Sequence, residues 1–119
     1  MRPYVFNFFN RKDDPSEVTP EDIQRRQVAG ERLFFPDVRE PAEYAETRIA
    51  GSKLIPLSQL ANQISSLPQD RPIVAVCRSG NRSSVAMSIL KRAGFSNVLN
   101  LRGGMLAWTR SGLPVKRGT

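Results

Sequence analysis

The sequence contains no histidine and a single cysteine, Cys77. Each absence closes off chemistry. Without histidine there is no Ser-His or Cys-His pair and no histidine-ligated metal site. One thiol cannot close an internal disulfide, and no zinc cluster can be assembled around it. No metal and no cofactor are expected. Long apolar runs are also missing, so no membrane span is expected. The net charge is +7, yet no block of five or six like charges occurs. Aromatic residues do not alternate with basic ones as a base-stacking platform requires, and nucleic acid is not an expected partner. Any chemistry must be activated by backbone dipoles, arginines, lysines or carboxylates.

What is present suits one globular domain: 119 residues, 39% hydrophobic and 24% charged. The opening "MRPYVFNFFNRKDD" superficially resembles a secretion signal. Asn7 interrupts its apolar run, Arg11 and Lys12 follow, and no small-residue cleavage site appears. A cytoplasmic protein is expected, with residues 1–16 an N-terminal extension carrying a short strand at Tyr4 to Phe8. Residues 17–119 form the domain.

Within that domain, strand and helix signals alternate. "VTPEDIQRRQVAG" has Thr19 as N-cap, Pro20 at the first helical position, acids in the first turn and Gly30 as a stop. "RLFFPDV" and "SKLIPL" read as strands, and "EPAEYAE" as a short helix entered through Pro41. In "SQLANQISSL", Leu60, Ile64 and Leu67 have helical spacing. "PIVAVC" is the strongest strand signal, apolar on both faces as a central parallel strand must be. "RSSVAMSILKRAG" predicts a helix with Val85, Ala86, Ile89, Leu90 and Ala93 on one stripe, ending at Gly94. "NVLNL" adds a strand and "GMLAWTRSG" a last helix. This order predicts an α/β fold, a mostly parallel sheet with helices on its faces.

Cys77 thus ends a central strand, and a helix begins about five residues later. In open α/β sheets ligands bind at the carboxyl ends of strands. A lone cysteine beside a buried strand is ordinarily an inert small hydrophobe. The segment that follows, Arg78, Ser79, Gly80, Asn81 and Arg82, changes that expectation. Gly80 and its small polar neighbours let the backbone curl, so that successive N–H groups converge as an anion-binding nest. The next helix adds its unpaired N-terminal N–H groups. A sulfur at that focus is held as thiolate without any histidine. Arg82 opposes the helix dipole, a cost that a bound anion or a carboxylate such as Asp37 would offset. Arg78 reads as a guide for an anionic substrate. For Ser79, Ser83 and Ser84 two readings stand: caps and turn residues, or donors to a bound oxyanion.

These residues resemble the active-site loop of rhodanese-like sulfurtransferases. "DVREPAEYAETRIAGSKLIPLSQL" is similar to that family's first signature and "NVLNLRGGMLAWTRSGLPV" to its C-terminal one. The resemblance covers roughly residues 17 to 115. It implies a single rhodanese domain with a central, mostly parallel five-stranded sheet. It further implies that Cys77 carries a persulfide, with Arg78, Ser79, Gly80, Asn81 and Arg82 binding the donor. Asp37 and Arg39 would brace the site; their alternative is local pairing and helix capping. Ser83 is a further supporting residue. Gly103 and Gly104 are expected to let backbones pack closely near the loop, and Trp108 to lie in the core. Arg48 stands in "TRIAGS" where the family commonly has histidine, at a position read as structural. Pro36 stands where an aliphatic residue is usual and is expected to end its strand early.

The function so implied is transfer of sulfane sulfur from thiosulfate or a persulfide to cyanide, a thiol or a protein. A protein donor or acceptor is a possible partner beside the small anionic donor. One alternative is a sulfur-carrier or interaction module in a sulfur-delivery pathway. Another is a cysteine phosphatase or arsenate reductase, whose loops resemble C-x5-R; here Arg82 gives C-x4-R.

Overall fold

The computed structural model describes residues 14–118. The strand expected at Tyr4 to Phe8 lies outside the described residues. Five parallel strands form the centre: β1 (Glu17–Val18), β2 (Pro36–Asp37), β3 (Lys53–Leu54), β4 (Ile73–Ala75) and β5 (Val98–Leu101). Among the described residues, three α-helices lie between strands, α1 (Pro20–Val28), α2 (Pro41–Glu46) and α3 (Asn81–Arg92), and α4 (Gly104–Arg110) follows β5.

The strands fall into a three-stranded sheet, β1-β5-β4, and a two-stranded one, β2-β3. Isolated parallel bridges, Phe34 to Ile73 and Asp37 to Val76, join the two across β4 and β2. The break has a local cause. Phe34 and Val38 donate their N–H groups to Pro72 and Val76, while Pro36, between them, has no N–H to donate. Pro36 does not end the strand as expected. Its carbonyl accepts from Val76, and Asp37 remains in register with Leu54. The proline removes one rung and leaves the strand running.

Strand alternation divides the core between two faces. Ile73, Ala75 and Cys77 pack with Val98, Ala86, Leu90 and Leu60 on the α3 side. Val74 and Val76 pack with Leu99, Leu101, Ile23, Met105 and Trp108 on the other side. With apolar residues on both faces, β4 is the central strand that its sequence predicts.

The helix starts follow their caps. Thr19 and Asp22 form a reciprocal capping box at α1, with bonds of 2.9 and 3.1 Å, and Pro20 opens the helix. Two helical expectations are corrected. The "SQLANQISSL" segment forms two 3-10 helices, Leu57–Asn62 and Ile64–Ser66. Pro56 precedes the first, and the Ser66 hydroxyl bonds the Gln63 carbonyl, so side chains compete for backbone groups there. On α3 the buried positions are Ser83, Ala86 and Leu90, while Val85 is 51% exposed and Ala93 is exposed. Val85 lies about 200° around the helix from Ser83 at 3.6 residues per turn, which places it on the outer flank.

Candidate active site

Cys77 follows the last residues of β4, and strand alternation turns its side chain toward the N-terminus of α3. The chain must then reverse within three residues before the helix begins at Asn81. Gly80 makes this turn with φ = +106°, in the left-handed region that residues with a Cβ avoid. Its N–H donates to the Cys77 Sγ at 3.0 Å. Ser83, in the first turn of α3, places its Oγ 3.2 Å from the same sulfur. Cys77, Gly80 and Ser83 are buried, whereas Arg78, Ser79 and Asn81 are exposed.

The N–H groups of the loop face inward because its carbonyls are engaged elsewhere. The N–H of Met105 donates to the Cys77 carbonyl at 2.9 Å, and that of Leu106 to the Arg78 carbonyl at 3.1 Å. This requires α4 to start against the loop. A Cβ on Gly104 would lie 2.4 Å from the Cys77 oxygen and 2.5 Å from that of Arg78, so no larger residue fits. On the other side the Gly80 carbonyl accepts from the side-chain amide of Asn100 at 3.3 Å and from the Ser84 N–H at 3.2 Å. The same amide also donates to the Glu17 carboxylate.

Burial pushes the Cys77 thiol up, the largest single influence on it. Against burial act the Ser83 hydroxyl and the backbone N–H groups of Ser83, Gly80 and Ser79. Together they prevail, and the thiol is held below its ordinary range. The arginines are not the leading cause.

Arg82 reaches α2, where two bonds of 2.8 Å join its guanidinium to the Glu43 carboxylate. Glu43 is thereby pulled down to about 2, chiefly by this bond and against burial. Glu43, not Asp37, is therefore the carboxylate that offsets Arg82. Asp37 is paired with Arg39 through bonds of 2.8 and 2.7 Å, with side chains 0% and 4% exposed. Arg39 also donates to the carbonyls of Glu43 (3.2 Å) and Thr47 (2.6 Å), so a buried pair ties α2 to the end of β2. α2 in turn presents Glu43 to Arg82.

Glu43 and Asn100 escaped the sequence reading. Glu43 lies inside the EPAEYAE helix, where it looks like a first-turn acid and does cap the Glu40 N–H at 2.9 Å. Asn100 had one signal, a polar residue in the otherwise apolar strand "NVLNL". Arg48 and Trp108 stand where expected. Arg48 lies 4.9 Å over the Tyr44 ring and pairs its backbone with Lys116, and Trp108 is buried with its indole N–H on the Pro114 carbonyl.

Beside the loop, between α2 and α4, opens a groove of about 490 Å³. Arg39, Glu43, Arg78, Met105 and Leu106 are among its walls. Among the described residues no cluster of acidic or sulfur side chains suits a metal ion. No described helix is long and apolar enough to cross a membrane.

The model of the rhodanese-like domain matches residues 19–111. The chain belongs to the rhodanese-like family. A sulfurtransferase of Allochromatium vinosum is 39% identical over 100 residues, covering 84% of this chain and 94% of that one. The thiosulfate sulfurtransferase GlpE of Pseudomonas aeruginosa is 32% identical over 96 residues, covering 81% and 86%. A rhodanese-related protein of Thermoplasma volcanium, solved as a crystal structure, superposes with a TM-score of 0.76 at 32% identity. That match covers 84% of this rhodanese-like chain and 96% of the other.

Proposed function

We propose that the chain is a rhodanese-type sulfurtransferase that carries sulfane sulfur on Cys77. One observation supports this most: the only thiol is buried, held toward thiolate, and approached by Gly80 N–H and Ser83 Oγ at 3.0 and 3.2 Å. The donors that stabilise a thiolate also stabilise a terminal persulfide sulfur, which carries the same charge.

In the first half-reaction the thiolate attacks the outer sulfur of thiosulfate. A new S–S bond forms to Cys77, the sulfur–sulfur bond of the donor breaks, and sulfite leaves with the electron pair. In the second, an acceptor such as cyanide or a thiolate attacks the outer sulfur of the persulfide. Cys77 then leaves as the thiolate it began as. No proton is needed at the sulfur in either displacement, which suits a site without histidine. Arg78, exposed beside Cys77, attracts the anionic donor, and Ser79 and Asn81 edge the opening. Arg82 braces the loop through Glu43. A guanidinium already engaged in two bonds to a carboxylate is poorly placed to cradle a tetrahedral oxyanion, and this speaks against a phosphatase.

Steady-state formation of thiocyanate from thiosulfate and cyanide tests the proposal. The parent chain is expected to turn over and Cys77→Ser to be inactive. Equal activity in the two would refute the covalent mechanism.

A further inference from the structure

The groove between α2 and α4 holds charge that the loop's own ion pairs leave unused. Arg39 is committed to Asp37, and Glu43 to Arg82. Arg78, Arg110 and Arg117 remain around the groove, with Glu46 as the only other charged wall among the described residues. None of these three arginines takes part in an ion pair among the described residues. Met105 and Leu106 add apolar surface between them. Arg117 is brought there by the C-terminal strap. Lys116 and Arg48 exchange backbone bonds of 2.9 and 2.8 Å, the Gly118 N–H donates to the Ala45 carbonyl at 2.6 Å, and the Arg48 guanidinium donates to the Gly118 carbonyl. A volume of about 490 Å³ is far more than a small inorganic anion fills, and lies within the roughly 300–1,000 Å³ range of sites for organic ligands.

We propose that this groove binds the sulfur acceptor, and that the acceptor is a small organic thiol bearing two carboxylates. The proposal rests on the sulfur-transfer reading and adds the acceptor's chemical class. Three arginines against one carboxylate call for a ligand with a double negative charge. The carboxylates meet Arg110 and Arg117, the carbon stem crosses Met105 and Leu106, and the thiol reaches the Cys77 loop beside Arg78. There the acceptor, having lost its proton to solvent, attacks the outer sulfur of the Cys77 persulfide. One S–S bond forms to the acceptor and the bond to Cys77 breaks. Cys77 leaves as thiolate and the acceptor departs as its own persulfide anion, so charge and sulfur balance without an added oxidant.

Two measurements on the full chain test this, with mercaptosuccinate as the dicarboxylate thiol and 2-mercaptoethanol as the uncharged one. The first compares single-turnover rate constants for discharge of the persulfide. Mercaptosuccinate should be preferred, and Arg110→Ala or Arg117→Ala should lower the ratio of the two rate constants by about fivefold each, the scale of one exposed charge pair. The second needs no sulfur transfer. Calorimetry on Cys77→Ser should show saturable, salt-sensitive binding of mercaptosuccinate that Arg117→Ala weakens. An unchanged ratio, or equal use of both thiols by the parent chain, overturns the proposed acceptor class. Binding to Cys77→Ser without any loading of the parent chain would support the subsite while overturning the sulfur-transfer reading alone.

Discussion

The backbone N–H of Gly80 points at the sulfur of Cys77 from 3.0 Å, and the carbonyl of the same residue is held by Asn100 at 3.3 Å. One peptide segment thus both stabilises the thiolate and is fixed by a neighbouring strand. The pairing accounts for how a chain with no histidine holds its one thiol toward the charged form. It also yields predictions that separate the parts of the loop.

The Cys77 thiol is held down by hydrogen bonds against burial, so removing a donor should raise its pKa. Ser83→Ala removes the hydroxyl at 3.2 Å. Gly80→Val forces a β-branched residue into φ = +106° and misplaces the N–H. In both variants the midpoint of iodoacetamide alkylation against pH should move upward. At neutral pH the rate should fall by about tenfold or more for loss of one hydrogen bond to a charged group. An unchanged profile in both would mean that burial alone sets the thiol.

Asn100→Leu tests the support behind Gly80. The sulfur loses no direct partner, yet the Gly80 carbonyl loses its side-chain donor. The alkylation midpoint should rise in the same direction while circular dichroism stays that of the parent. A parent-like midpoint would restrict Asn100 to binding Glu17.

The Glu43–Arg82 pair gives a pH signature. The folded-state pKa of Glu43 is depressed to about 2, so its contribution is fully present above the ordinary glutamate value of about 4.3 and is lost as pH falls through about 2. The two side chains are 27% and 36% exposed, and solvent screening limits the pair to about 1 kcal/mol. Denaturant unfolding should show Glu43→Gln less stable than the parent by that amount at pH 6, with the difference shrinking below pH 4. A difference independent of pH would assign the loss to packing.

Gly104→Ala should be destabilising, since its Cβ would fall 2.4 Å from the Cys77 carbonyl oxygen. The cost of such overpacking is about 1–3 kcal/mol, read as a lower thermal midpoint. The separation of α4 from the loop should also disturb the N–H array, so sulfur loading should slow in parallel. A parent-like thermal midpoint would show that α4 yields without cost.

How much of this was legible in the sequence follows from the range of each signal. The N-cap at Thr19, the doubly apolar β4 and the glycine turn after Cys77 are written in adjacent residues, and the structure has them where expected. The three motif segments together carried the family. The 3-10 helices were misread because apolar spacing at Leu60, Ile64 and Leu67 does not distinguish a continuous α-helix from two tighter turns. Asp37, the carboxylate that the sequence suggests for Arg82, gives way to Glu43 for a different reason. Asp37 ends β2 and Glu43 follows in α2, and only the fold shows that Arg39 already occupies Asp37. Asn100 reaches Gly80 across twenty positions of sequence, a distance at which no local pattern speaks.

The central claim is that Cys77 itself carries the transferred sulfur. Intact-mass measurement of the full chain after thiosulfate treatment tests it most directly. The account predicts a gain of one sulfur atom, about 32 Da, removed by cyanide or dithiothreitol and absent from Cys77→Ser. A parent chain that forms thiocyanate from thiosulfate with no such adduct, or an adduct that persists in Cys77→Ser, would contradict it.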